Sequence, residues 1–410
     1  MIMAKKFLYF QPEYVKKFKC DSSKCQNNCC ERPWGIDLDK ATYERYSHIK
    51  PKEKAEAITS HFIYIGAKDA YFLKERPCPF LTENKLCRMQ LEYGEKFVSD
   101  TCATYPRVTH KVGKFFERSL VLTCPVAAEK ILFAQKSMKF NFVEVSEKVH
   151  GNHGKIKIYT NMEMSDVAAE LMIKVQATMT SILQERTLSI DQRLIVLCFF
   201  VDKLEEIYSR GMDEDEQRKL IAAYESKKFL AEQVPMMIQS VSFDAEKFVK
   251  LMIDFINSSM EVLRIEAGQK FLAAFEKVFG VKPDKNNIVS ITEIANNYER
   301  LADARKIFLA EYSTFLENYL VNELFLNLYP WKHHYRPTRS LSVFLITYKV
   351  FELFVFAATQ NNLSSKNDLL TLADWYSCQI DHDDCLKEKI FAYLEEHKDF
   401  FELMESLFDK

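Results

Sequence analysis

Eight cysteines within the first 124 residues constrain this chain more than any other feature of its sequence. Cys20, Cys25, Cys29 and Cys30 share one short polar stretch, and Cys78, Cys87, Cys102 and Cys124 follow; the rest of the 410 residues holds only Cys198, Cys378 and Cys385. Such crowding has two usual causes, a disulfide framework or a metal site. The opening Met-Ile-Met-Ala-Lys-Lys-Phe-Leu lacks an uninterrupted apolar region before a small-residue cleavage site. The most apolar later stretch, residues 341–358, is interrupted by Lys349 and Glu352 and reads as a buried helix rather than a membrane span. The expectation is a soluble cytoplasmic protein. In a reducing compartment clustered cysteines bind metal more often than they pair, and a total of eleven suits a disulfide framework poorly.

Charge is unevenly placed. Residues 1–150 carry 26 Lys+Arg against 18 Asp+Glu, whereas the whole chain carries 56 against 58, so the basic excess lies in the cysteine-rich part. A basic surround balances a thiolate-rich site or receives an anion, and ordinary surface composition would look the same.

Local patterns give an α+β expectation. Residues 1–19 read as a lead-in in which Tyr14, Val15 and Phe18 pack beside the cysteine loop at residues 20–30. Residues 34–39 alternate like a short strand, with Asp39 placed to cap a helix carrying Tyr43 and Tyr46. Two hairpins follow. In the first, Leu81 faces Leu86 across Thr82-Glu83-Asn84-Lys85; in the second, residues 107–110 and 114–122 flank Lys111-Val112-Gly113. These bring Cys78 and Cys87, and Cys102 and Cys124, to hairpin ends, and residues 155–159 suggest one more strand. Beyond Ser165 the apolar spacing is helical throughout: Val167, Leu171, Val175, Met179 and Ile182 first, then residues 194–207 and 248–256. A capping box at Ser290 opens one long helix to about Leu328, and residues 341–359, 369–377 and 386–408 complete the set. The domains expected are a cysteine-rich metal-binding module with short β-hairpins over residues 1–150 and a mostly helical protein-docking domain over 151–410.

Four thiolates satisfy a structural zinc and an iron–sulfur cluster alike, and eight allow one site with spare thiols or two sites. Adjacent Cys29 and Cys30 can serve one site only on a bent backbone. The radical-type Cys-x3-Cys-x2-Cys run is absent, because Arg32 stands where its last cysteine would be. Nine glycines provide no Gly-x-Gly-x-x-Gly and no P-loop, which argues against an ordinary Rossmann-type nucleoside site. His333-His334 reads as surface or packing and His382 as part of a solvated acidic turn. Beside Cys102, Arg107 offers a fork for a carboxylate and Tyr105 an oriented hydroxyl.

Taken together, Cys20-x4-Cys25-x3-Cys29-Cys30, then Trp34, Ile36, Leu38-Asp39 and Thr42-Tyr43, then Cys78-Pro79-Phe80-Leu81 with Leu86-Cys87, then Thr101-Cys102-x2-Tyr105-Pro106-Arg107, then Ser119-Leu120 and Cys124-Pro125, resemble the bacterial flagellin lysine-N-methylase family. The specific motifs span roughly residues 10–135, and Asn318-Tyr319-Leu320, Phe325, Pro330 and His382 agree more loosely in the helical part. Pro33 departs from the family's glycine before the tryptophan. The cysteine module is also similar to a broader group of zinc- or iron-chelating proteins.

The resemblance implies a protein-lysine N-methyltransferase. It would transfer methyl from S-adenosylmethionine to flagellin lysines, with an iron–sulfur cluster, of 4Fe–4S type, or zinc, on Cys20, Cys25, Cys29, Cys30, Cys78, Cys87, Cys102 and Cys124. Its partners would be flagellin and the methyl donor, with neither nucleic acid nor membrane. Asp37, Tyr105 and Arg107 are the candidate catalytic groups, chosen for their chemistry and their place beside the thiols. The competing reading is a non-enzymatic zinc- or iron-binding or delivery protein whose helical part is a docking surface.

Overall fold

The computed structural model describes residues 6–20, 25, 28–32, 35–146, 158–263, 268–281, 290–331, 336–380, 390, 392, 394 and 400–408. The chain forms two compact units, one of residues 1–127 and 139–165, the other of residues 128–138 and 166–410. The α+β class holds: the sheets lie in the first unit and the second is helical.

The first unit opens with β1 (Lys6–Pro12) and the short helix α1 (Glu13–Lys17). Next come β2 (Asp37–Leu38), α2 (Lys40–Ser47), α3 (Lys52–Thr59), β3 (Phe62–Ile65) and β4 (Ala70–Leu73). Then follow α4 (Arg88–Tyr93), α5 (Asp100–Thr104), β5 (Arg107–Val112), β6 (Phe115–Leu120), α6 (Pro125–Leu132), whose residues from Ala128 on belong to the second unit, β7 (Phe140–Ser146) and β8 (Thr160–Met162). The larger sheet has the order β7-β1-β6-β5-β8, and the smaller β2-β4-β3. The lead-in expected over residues 1–19 is therefore partly wrong, because Lys6–Pro12 pairs antiparallel with β7 along its whole length and parallel with β6. Its apolar run Phe7-Leu8-Tyr9-Phe10 lacks alternation because the strand is sheltered by neighbours on both sides, with Tyr9 and Phe10 buried. Tyr14, Val15 and Phe18 are buried as expected.

The hairpin at β5–β6 forms, its loop tightened from three residues to two: Val112 pairs with Phe115, and Gly113 takes the positive φ of 54° that a two-residue turn demands. The other expected hairpin is reduced to a turn. A single bridge joins Leu81 to Cys87 rather than to Leu86, Lys85 sits at φ 59°, and Arg88 already begins α4. Asp39 caps α2 by accepting from the Thr42 amide at 2.8 Å. Under β2, β3 and β4 a small core gathers Leu38, Tyr46, Ile49, Ile58, Phe62, Phe80 and Met89, and the side chains of Cys78 and Cys87 pack against it. Trp34 and Pro33 lie outside the described residues, as do residues 155–157 of the expected extra strand; β8 starts three residues later.

The second unit is built of α7 (Asp166–Leu183), α8 (Ile190–Ser209), α9 (Glu214–Glu225), α10 (Lys227–Ser240), α11 (Ala245–Leu263) and α12 (Gln269–Phe279). It continues with α13 (Ile291–Arg300), α14 (Ala302–Glu311), α15 (Ser313–Leu326), α16 (Pro337–Gln360), α17 (Lys366–Ile380) and α18 (Phe400–Glu405). One long helix after Ser290 is corrected to three, α13 to α15. Leu301 and Tyr312 adopt near-zero ψ at φ −91° and −95°, and the Ser290 side chain makes no cap bond. Residues 337–360 form the one helix among those described that is long and apolar enough to cross a membrane, and its apolar window is wholly buried in this unit. Each buried Leu, Val or Phe contributes about 1.5–3 kcal/mol, and α16 buries ten of them. That gain outweighs the several kcal/mol per ion needed to bury Lys349 and Glu352 on the same helix. His333, His334 and His382 lie outside the described residues.

Candidate functional site

The chemistry-bearing residues of the first unit collect around two turns. Asn28 opens a 3-10 turn, Cys29–Glu31: its side chain accepts from the Cys30 amide (3.0 Å), and Glu31 returns to the Asn28 amide (2.9 Å). This turn supplies the bent backbone that adjacent cysteines need to serve one site. Asn28 also donates to the Lys85 carbonyl (2.9 Å), Lys85 Nζ pairs with Glu31 (3.3 Å), and the Cys78 amide donates to the Cys30 carbonyl (2.8 Å). The Cys29–Cys30 turn is thereby laced to the Cys78–Cys87 turn, although some fifty residues separate them.

The thiols follow this lacing. Cys30 interacts with both Cys29 and Cys78, and its hydrogen bonding holds these two below the ordinary thiol value, at about 7 and about 6. Cys30 itself is pushed up, first by Cys29 and then by Cys78, because a third charge beside two incipient thiolates is unfavourable. Cys87 is raised by burial and feels the charges of Cys78 and Cys29. At Cys102, in the middle of α5, burial of the thiol pushes it up to about 12, and the charges of Cys29, Cys78 and Cys87 add to this. Cys20, Cys25 and Cys124 form a second neighbourhood: Cys124 is buried, which pushes its thiol up to about 12, while Cys25 is half-buried and Cys20 exposed. Among the described residues no group of three or more His, Cys, Asp and Glu side chains is arranged to hold a metal ion as it stands. Cys29, Cys30 and Cys78 interact directly, and Cys87 and Cys102 are electrostatically coupled to them.

Asp37, Tyr105 and Arg107 occupy consecutive positions around α5. Asp37, on β2, accepts from the Thr101 hydroxyl of α5 at 2.6 Å. Tyr105 caps the other end of that helix, its hydroxyl 3.1 Å from Thr123 Oγ1, next to Cys124. Arg107 opens β5 with its guanidinium 5.0 Å from the centre of the Phe18 ring. Burial lowers its affinity for the proton, and the nearby Cys20 and Cys124 thiols restore part of it. Of their three partners, Thr101 and Phe18 belong to stretches that the sequence had singled out, and Thr123 does not.

Other residues were missed. Arg118, on β6, is buried over the Tyr9 ring (4.2 Å) and donates to Tyr9 OH (3.1 Å) and Thr109 Oγ1 (2.9 Å). Burial pushes Tyr9 up to about 12. Arg76, two residues before Cys78, has both terminal guanidinium nitrogens buried without a hydrogen-bond partner. Neither arginine carries a sequence signal, since a lone cation in a strand or before a proline belongs to no pattern. Asn28 did carry one: Asn-x-x-Glu is a capping signature. In the second unit, Glu317 takes Arg193 (2.9 Å) and Arg186 (2.8 Å), and Lys349 lies between Asp191 (2.5 Å) and Glu352 (3.1 Å), nearly all of it buried. Asn318 donates to the carbonyls of Leu132 (3.2 Å) and Ala134 (2.8 Å), and Tyr319 stacks on Phe351 at 3.8 Å.

Residues 176–407 match the family model described as the FliB lysine N-methylase C-terminal domain. A lysine-N-methylase of Salmonella typhimurium is 32% identical over 128 residues, which is 30% of this chain and 32% of that protein. A flagellar biosynthetic protein FliU of Salmonella muenchen is 31% identical over 128 residues, 30% of this chain and 75% of that protein. The chain thus spans about a third of the length of the first of these relatives. No solved structure matches. With the family model covering more than half of its residues, the chain belongs to the FliB lysine N-methylase family.

Proposed function

We propose that this protein methylates lysine side chains of flagellin with S-adenosylmethionine as donor, and that its N-terminal cysteines hold an iron–sulfur cluster. The observation that carries the reading is the union in one chain of a FliB-type helical part with a unit in which Cys30 joins Cys29 and Cys78. Cys29, Cys30 and Cys78 would hold the cluster, which when bound in this way would supply an open iron able to take amino and carboxylate groups.

The residues of this chain would do the rest. Arg107, a cation stacked on Phe18, suits the donor's carboxylate through its fork. Asp37, which accepts from Thr101, would receive the proton that a lysine ammonium, with a reference pKa of about 10.4, must lose before attack. The amine lone pair then forms the N–C bond as the S–C bond breaks in line, the bonding pair leaving with sulfur as a thioether; positioning supplies much of the rate. Tyr105, its hydroxyl held by Thr123, would add an oriented hydroxyl.

The test is anaerobic purification followed by iron, zinc and sulfide quantitation with absorption spectra before and after the donor, then transfer of labelled methyl to flagellin. Iron with matching sulfide, a donor-sensitive spectrum and labelled lysine are expected. Stoichiometric zinc without sulfide, with no label transferred, would favour the binding-protein reading instead.

A further inference from the structure

The smaller sheet of the first unit has two unlike faces. On one, Leu38 and Phe62 are buried in the small core, and Tyr71 and Leu73 pack against it. The register sets the alternate residues on the other face: Asp37 pairs with Phe72, and Phe72 with Ile63, so these three form one row across β2, β4 and β3. That row is open. Ile63 is 52% exposed, Gly35 at the Asp37 end is exposed, and Phe72 and Asp37 are half-buried. Edge strands are usually blunted by charge, yet β3, at the edge of its sheet, exposes Ile63 and, next to it, Tyr64. The exposed Lys68 places its Nζ 5.2 Å from the centre of the Phe72 ring. A positive charge reaching this face is therefore repelled at Phe72 and drawn to the carboxylate of Asp37.

We propose that the row Ile63–Phe72–Asp37 seats the acceptor segment: an extended protein segment with its lysine ammonium at Asp37 and an apolar side chain, two residues away, on Phe72 and Ile63. The inference rests on the methylation reading above and adds to it a preference among lysines. The dimensions agree. Strands about 4.8 Å apart put Ile63 about 10 Å from Asp37, and residues two apart in an extended chain lie about 7 Å apart on the same side. A lysine flanked only by polar residues gains nothing from the apolar end of the row and would be the poorer acceptor.

The experiment measures transfer of labelled methyl to intact flagellin by the full chain and by I63S and I63L, with light scattering to follow oligomeric state. Because Ile63 is exposed, neither substitution opens a cavity. In I63S the KM for flagellin is expected to rise about tenfold at unchanged kcat, the effect of withdrawing a few methylenes from an apolar contact made equally in ground and transition states. I63L should stay close to the parent. An unchanged KM in I63S, or a fall in kcat alone, would overturn the seat while leaving methylation standing. A parent protein that dimerises and an I63S that does not would give this face to a second copy of the chain and overturn it as well. No transfer by the parent protein would instead overturn the reading on which the proposal rests.

Discussion

The two units treat buried charge in opposite ways. In the helical unit charges close on one another: Glu317 takes two arginines, and Lys349 takes two carboxylates. In the cysteine-rich unit the thiols interact with each other, and Arg76 is left without an acceptor. A closed network fixes helices and asks nothing of a ligand, whereas an open one is complete only when something else supplies the missing partner. The function proposed above accordingly puts the chemistry in the first unit.

The strongest way to break this comparison is to open the closed side. Glu317→Ala strands Arg193 and Arg186 together and is expected to destabilise the helical unit by about 3–5 kcal/mol, measured as a shift of the urea midpoint. A loss no larger than that of an ordinary surface substitution would show that the network is not closed in solution.

Lys349→Met is expected to cost less, about 3 kcal/mol, because the stranded carboxylates can protonate. Burial pushes Asp191 up to about 6 from 3.8, against the pull of Lys349. Its contribution is therefore complete below about pH 4 and lost as pH rises through about 6. Without Lys349 the folded value climbs further, so the deficit of the variant should widen from pH 5 to pH 8. Equal deficits at both would refute the assignment.

The smallest effect sharpens the open side. Asn28→Ala removes one cap and one bond to Lys85, and should cost about 1 kcal/mol while speeding alkylation of Cys29 and Cys30. Unchanged thiol rates would mean that the turn is held by other contacts.

Much of this could be read in the sequence, and the exceptions have physical causes. Asp39, the β5–β6 hairpin and the helices α7, α8, α11 and α16 declared themselves through capping chemistry or apolar period. The breaks at Leu301 and Tyr312 did not, since neither residue is a helix breaker and packing sets the bend. Strand β1 was hidden because full burial erases alternation. At the site, the cysteines were visible as a set, but their division into two neighbourhoods depends on which turns are laced together, and lacing through Asn28 and Lys85 spans 57 residues.

The strand at Lys6–Pro12 has a consequence for synthesis. Its antiparallel partner is Phe140–Ser146, so its pairing bonds wait for a segment made some 130 residues later. Contacts of that separation are slow to close and leave an apolar edge uncovered meanwhile. On the ribosome, at about 5–20 residues per second, the nascent strand would spend several seconds unpaired on one side. Its own aromatics, Phe7, Tyr9 and Phe10, make that interval a natural point for chaperone capture, before the larger sheet can close.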